Sequence, residues 1–375
     1  MTNRMTDMFG IEFPIFAFSH CRDVVAAVTR AGGMGVLGAL AYTPEELETE
    51  LSWIDDHCDG KPYGVDLVMP ASYIGKGGGE QATAESLTSR IPAEHRAFVD
   101  RVLDEAGIPP VPEDLEARRP RAAGLDVDAF APGQLEVTLE HPASLLVNAL
   151  GPPPEDVVKK AHDHGIHVAA LVGSKRHAER QLEIGVDIIV AQGGEAGGHT
   201  GDVATMVLIP EVRDAVGPDV PILGAGGIGT GRQMAAAMAL GADGVWTGSI
   251  WLTVAESSTE PHVIDNLLAA GSRDTVRSRA MTGKPARQLR TAWTEAWERD
   301  DSPGTLPMPL QGLVFNQAAR RFGRVRDPRF GGSPVGQIVG QMNTVRPAKD
   351  VVFDMVSEWI DTVEQMHADV TQHGS

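Results

Sequence analysis

Short apolar or β-branched runs alternate with helical stretches along most of this 375-residue chain, and that alternation restricts the fold more than any other feature. FPIFAF (13–18), MGVLGAL (34–40), YGVDLVMP (63–70), SLLVNALG (144–151), IHVAALVG (166–173), VDIIVAQG (186–193), VPILGAGG (220–227) and DGVWTGS (243–249) supply eight strand candidates. Between them lie helical stretches such as PEDVVKKAHDHG and TGRQMAAAMALGA, most ending in glycine, as helix C-termini prefer. Thr43 followed three residues later by Glu46 reads as a capping box, so a helix is predicted over 43–58. Strands separated by helices read as parallel βα units. Eight of them predict an α/β fold, a TIM (β/α)8 barrel. The rival is an open doubly wound sheet, which needs a reversal of strand order.

Two segments break the βα spacing. Residues 71–131, rich in Gly, Pro and charge (GKGGGE, PPVPEDLEARRP), form a long insertion after strand 3, where the third barrel loop belongs. Their weak apolar periodicity argues for a lid or substrate wall rather than an independent core. Residues 256–375 read as a C-terminal helical extension packing on the barrel. Within VVFDMVSEWIDTVEQM, Val352, Met355, Trp359, Val363 and Met366 fall on one helical face and predict outer packing. The division expected is a barrel of 1–70 and 132–255, an insertion or lid of 71–131 and an extension of 256–375.

Composition narrows the partners. A net charge of -19 disfavours nucleic acid and anionic membrane, because like charge repels phosphates. A small molecule is the expected partner. The two cysteines, Cys21 and Cys58, form neither a CxxC pair nor a framework of bridges, which points to a reducing cytoplasmic setting. No stretch has the length and apolarity of a signal peptide or a membrane span, so neither export by that route nor membrane insertion is expected.

At a barrel's C-terminal face strands end and chemistry begins. AQGGEAGGHTG (191–201) follows VDIIV and lands there, with five glycines around one glutamate and one histidine. Glycine lets backbone N–H groups approach a flat or anionic ligand closely. GAGGIGTG (224–231) ends strand seven and WTGSI (246–250) ends strand eight, the two loops that commonly bind phosphate in a barrel. Gly224, Gly226 and Gly229 also fit the dinucleotide pattern GxGxxG. That pattern needs an acid at the end of the next strand, whereas GVWTGSIW ends in Gly, Ser and Trp and Asp243 precedes it.

The three stretches AQGGEAGGHTG, ILGAGGIGTGRQMAAAMALGADGVWTGS and MTGKPAR (281–287), in this order, resemble the nitronate monooxygenase family, formerly called 2-nitropropane dioxygenases. The resemblance implies an FMN-binding TIM barrel that oxidises alkyl nitronates with O2 to a carbonyl compound and nitrite. It implies a catalytic His199. It places Gln192, Gly197 and Gly198 at the flavin, Ala225, Gly226 and Gly227 at the phosphate, and Trp246, Thr247, Gly248 and Ser249 closing the phosphate site. Independently, a neutral imidazole suits proton transfer from a carbon acid near neutral pH. Glu195 could orient His199, cap a backbone turn or pair with an arginine.

The chain also departs from the family. The first strand usually lies along the flavin ring and often ends Gln-Ala-Pro-Met; here Ala17 and Phe18 take that place, followed by Ser19, His20 and Cys21. Asp66 stands where relatives often carry asparagine against the flavin. Arg320, Arg321, Arg324, Arg326 and Arg329 cluster in AARRFGRVRDPRFGG, either as a site for a phosphate-bearing substrate or as partners for neighbouring acids. The main expectation is a cytoplasmic FMN enzyme acting on a small molecule and O2, with a homodimer as an option for its assembly. Its rivals are an NAD(P)H-dependent flavin reductase acting on a quinone or an enoyl thioester of CoA or acyl carrier protein, a flavin-binding barrel without turnover, and a phosphate-binding barrel without flavin.

Overall fold

The computed structural model describes residues 3–69, 84–112 and 127–372. Eight parallel strands close into a barrel: β1 (Ile15–Ser19), β2 (Met34–Gly38), β3 (Gly64–Leu67), β4 (Leu145–Asn148), β5 (His167–Val172), β6 (Ile188–Gln192), β8 (Ile222–Ala225) and β9 (Gly244–Thr247). Each of the predicted runs supplies one of them. Closure comes from β9 pairing with β1, with Phe16 in register with Trp246, which excludes the open doubly wound sheet. β7 (Gly198–His199) lies outside the barrel.

Side-chain alternation divides the core in two, as the two-residue period of a strand requires. Phe16, Met34, Val36, Leu145, Val147, Ile188, Val190, Leu223 and Trp246 fill the barrel interior. Their neighbours Ile15, Ala17, Leu37, Leu146, Ile189, Ile222 and Val245 pack outward against the helices. A short helix, Arg4–Phe9, starts from a capping box between Asn3 and Thr6 and adds Met5 and Phe9 to the interior cluster. Phe9 meets Phe16 edge-on with ring centroids 5.6 Å apart. Phe16 is the second residue of β1, so this helix covers the end of the barrel remote from the strand C-termini.

The helix Pro44–His57 begins with the predicted Thr43–Glu46 capping box. Helix Ala348–Gln372 packs on helix Gly231–Ala239, burying Val352, Met355 and Trp359. The apolar face does not stay covered: Val363 is 48% and Met366 52% exposed. Helix Gly231–Ala239 has only 9 residues against 25 for its partner, about 14 Å against 38 Å of axis, so the later turns run past their support.

Between the barrel and that helix the chain makes more than helices. β10 (Thr275–Ser278) and β11 (Ala286–Leu289) form an antiparallel pair, and β11 takes β7 as its other neighbour. A second apolar core joins Leu87, Phe98, Val102 and Leu103 to Trp293, Trp297, Leu313 and Val314. The insertion's helix Ala93–Glu105 therefore shares its core with helix Leu310–Val325 and needs none of its own. No helix among the described residues is long and apolar enough to cross a membrane.

Candidate active site

A cavity of about 430 Å³ opens at the C-terminal ends of the barrel strands, within the range of small-molecule sites. Of the residues expected at a cofactor, Phe18, Asp66, Gln192, Gly197, Gly198, Ala225, Gly226, Gly227, Trp246, Thr247, Gly248 and Ser249 line it, together with His199. Ala17 does not. It is fully buried in the outer layer, because strand alternation turns it toward the helices while Phe16 and Phe18 face in. Phe18 stacks on Trp246 at 6.1 Å and 29° and meets His20 edge-on at 5.1 Å.

The glycine-rich stretch is shaped first by packing. A Cβ on Gly193 would collide with Thr205, and one on Gly226 would lie 2.7 Å from the Thr205 hydroxyl. Gly226 has φ +105° as well, a conformation that favours glycine. The loop can thus fold back on the start of helix Thr205–Val216. There Glu195 Oε2 accepts hydrogen bonds from the Thr205 backbone N–H at 2.8 Å and its hydroxyl at 2.9 Å. Of the roles open to it, Glu195 takes the one at the backbone turn, holding the first turn of that helix.

The other half of the stretch is held by the C-terminal segment. Gly198 and His199 pair with Arg287 and Ala286 of β11, and Arg287 Nε donates to the Gly194 carbonyl at 2.9 Å. The His199 Nδ1 lies 3.1 Å from the Pro285 carbonyl oxygen. A carbonyl only accepts, so Nδ1 carries the hydrogen and the neutral ring keeps its lone pair on Nε2. Burial pulls the His199 pKa down, opposed by the Pro285 hydrogen bond and aided by the positive charge of Lys284. The lowered pKa favours the neutral ring, and His199 lines the cavity.

Burial acts on His20 and Asp66 of the wall in the same sense, toward the neutral form. His20 points Nδ1 at the Gly38 carbonyl, 2.8 Å away, and burial lowers its pKa despite that bond. Asp66 is 3% exposed; burial raises its carboxyl well above the usual range, and a hydrogen bond from the Ala149 backbone opposes this. Among the described residues no lysine or arginine lines the cavity, and no cluster of three or more His, Cys, Asp or Glu side chains could hold a metal ion.

Part of the wall was not legible as such. Thr282, Met308, Pro309, Asn316, Ser333 and Pro334, all beyond the barrel, line the cavity. None of the residues 86–112 does so, and most of the rest of the segment expected as a wall falls outside the described residues. The Pro- and Gly-rich breaks PGTLPMP and GGSPVG were the available signal. Segment 333–338 grips the site directly: the Gly336 N–H donates to Ser249 Oγ at 2.8 Å and the Gln337 N–H to the Glu195 carbonyl at 2.9 Å.

The arginine cluster faces elsewhere. Arg321 pairs with Asp100 and Asp104, each at 2.9 Å, and donates to the Ile108 carbonyl. Arg324 reaches the Pro110 carbonyl, Arg326 pairs with Glu260 and Arg329 with Asp327. These side chains fasten the insertion and neighbouring turns.

Known proteins match this architecture. The nitronate monooxygenase family matches over residues 2–358. A Mycobacterium tuberculosis protein, provisionally named a monooxygenase, is 54% identical over 377 residues, covering 98% of each chain. A Rhodococcus jostii dehydrogenase of a hydroxy-methyl-oxo-octahydroindene carboxyl-CoA is 30% identical over 83% of this chain and 70% of its own. The solved nitroalkane oxidase of Streptomyces ansochromogenes shares the fold, with a TM-score of 0.77 at 23% identity over 96% of this chain and 99% of that one. With the barrel, the glycine-bounded cavity and the neutral histidine in place, the chain belongs to the nitronate monooxygenase family of flavin-dependent oxidoreductases.

Proposed function

We propose that the chain binds FMN at the barrel mouth and oxidises an alkyl nitronate with O2 to a carbonyl compound and nitrite, using His199 as its acid–base group. The observation that carries this reading is the tautomer of His199, whose Nδ1–H is committed to Pro285 and whose Nε2 is left to the cavity.

The residues present fit a flavin. Phe18 and Trp246 offer aromatic surface, Gln192 an amide, and Asp66 a buried oxygen without a partner among the described residues. These four would hold the ring system. Gly226 and Gly227, both at positive φ, and Gly248 before Ser249 leave backbone N–H groups accessible to a phosphate. With no cation on the described wall, those N–H groups would carry its charge. When bound, the flavin supplies electron transfer between the nitronate carbon and O2.

The protein's own task is to manage a proton. Nε2 of His199 takes the acidic C–H proton of a nitroalkane, which leaves the nitronate in the cavity and an imidazolium beside it. The imidazolium then donates to a nitronate oxygen, since both ring nitrogens now bear hydrogen. The apolar parts of the wall, Leu40, Val68, Leu171 and Ile338, keep water from competing for that bond.

A second reading, NAD(P)H-dependent reduction of a quinone or an enoyl thioester, draws on the CoA-thioester relative from Rhodococcus jostii. The engaged arginines Arg321, Arg324, Arg326 and Arg329 lend it no support. One experiment separates the two: the purified protein is loaded with FMN and mixed anaerobically with an alkyl nitronate, NADH or NADPH. Bleaching by the nitronate alone supports the monooxygenase; rapid bleaching by a nicotinamide supports the reductase; a protein that takes up no FMN overturns both.

A further inference from the structure

Among the described residues, Asp66 is the one acid that is fully buried. It sits in β3 with Gly38 of β2 and Val147 of β4 as its cross-strand neighbours, neither of which can pair with a carboxyl group. Its side chain is nine-tenths buried and more, its Oδ1 has no hydrogen-bond partner among the described residues, and it lines the cavity. From the residue just after β4 it receives the Ala149 backbone N–H. Asn148, next along that strand, spends its amide on the Met69 and Gly151 backbone. On the β1–β2 side the wall carries His20, committed to the Gly38 carbonyl and with its pKa lowered by burial, and Cys21, whose Sγ donates to the Glu256 carbonyl. Among the described residues, no lysine or arginine lines the cavity beside Asp66.

An ionised carboxylate in such a place would be a buried charge with neither ion pair nor adequate hydrogen bonds, an arrangement proteins avoid by keeping the proton. The protonated form changes what the group offers. A carboxylate can only accept, whereas a carboxylic acid donates one hydrogen. We propose that Asp66 enters the cofactor site as a carboxylic acid and donates its hydrogen to an acceptor on the flavin ring system, so that cofactor retention depends on that proton. The inference rests on the FMN reading above and adds to it a protonation state. The pyrimidine edge of a flavin carries two carbonyl acceptors flanking one N–H donor; the acid form of Asp66 complements a carbonyl, which a carboxylate repels. The raised pKa of Asp66 agrees with this assignment.

Linkage sets the direction of the effect. If only the acid form holds the flavin, affinity is full below the Asp66 pKa of the free protein and falls by up to about tenfold per pH unit above it. The test is FMN binding by fluorescence quenching from pH 6 to pH 10, on wild type and on Asp66→Asn, which keeps shape and a donor but cannot ionise. Wild type is expected to lose affinity toward alkaline pH. Asp66→Asn should bind within about threefold of wild type at pH 7 and stay flatter above it, carrying only the pH dependence of FMN and the rest of the protein. Infrared spectra of wild type alone give a check that needs no variant: a protonated-carboxyl carbonyl band at pH 7 should fade by pH 10. Coincident pH profiles for the two proteins overturn the inference and leave the FMN reading standing, as does absence of the band. A wild type that binds no FMN at any pH overturns both.

Discussion

The Nδ1 of His199 and the carbonyl oxygen of Pro285 lie 3.1 Å apart across 86 residues of sequence, and this contact decides which ring nitrogen carries the hydrogen in the neutral ring. Replacing His199 by alanine is expected to lower kcat/KM for a neutral nitroalkane by about 10²- to 10⁴-fold, the usual worth of a general base. A preformed nitronate needs no deprotonation and should lose less. Steady-state assays with both substrate forms check this; equal losses would remove the proton-transfer role.

The same residue predicts a pH profile. Burial lowers its pKa, so the active base form persists below the usual histidine value of about 6.5. Activity should rise with pH through that depressed value and level off above it. The sign for stability follows from the same shift: the unfolded chain binds the proton more readily, so stability held above pH 6.5 declines as pH falls. A kcat/KM profile whose acid limb lies at or above about 6.5 would contradict the assignment.

Glu195 should separate structure from chemistry. Its carboxylate accepts the Thr205 N–H and hydroxyl, so Glu195→Ala is expected to cost about 0.5–2 kcal/mol of stability, as loss of a helix cap does. The effect on kcat should stay under about tenfold, well short of a general base. Urea unfolding and turnover measured on one preparation decide the point.

Gly231 packs against the backbone of Met355, Glu358 and Trp359, where a Cβ would collide. Gly231→Ala should therefore cost about 3 kcal/mol, at the upper end for overpacking, since backbone cannot rotate aside. Gly60, with φ +67° and no atom within 4 Å of an added Cβ, offers a control. Gly60→Ala meets only backbone strain, about 1–2 kcal/mol. Denaturant midpoints for the two variants should rank in that order.

Arg321 joins the insertion to the extension. Its side chain is 11% exposed while Asp100 and Asp104 are largely in solvent, so the ion pairs themselves contribute little. The hydrogen bond to the Ile108 carbonyl raises the expected cost of Arg321→Ala to about 1–3 kcal/mol. The loss should be local: amide exchange should accelerate in 93–108, with the barrel strands unchanged.

Much of the fold was legible because its signals are local. Apolar runs of five to eight residues with glycine stops mark βα units wherever they occur, and Thr43 with Glu46 marks a helix start within one turn. The helix Arg4–Phe9 and the strands Thr275–Ser278 and Ala286–Leu289 escaped, since six helical residues span under two turns and the strand sequences TVRS and ARQL mix charged and polar residues instead of forming an apolar run. The face of Val352, Met355 and Trp359 read correctly as packing, but the continuation to Val363 and Met366 did not. Where a helix outruns its partner is a matter of the partner's length.

For the site, sequence alone determined which loops meet at the barrel mouth, because strand direction and order put AQGGEAGGHTG, GAGG and WTGS at one end. It also supplied the residue types available there. Tertiary structure decided what each one does. Alternation along β1 sent Ala17 outward and Phe18 inward; Thr205 drew Glu195 away from His199; Pro285 chose the histidine tautomer; acids and carbonyls elsewhere engaged the arginines. Each of these outcomes depends on a hydrogen bond or collision between groups distant in the chain, and such pairings leave no periodic trace for a sequence to show.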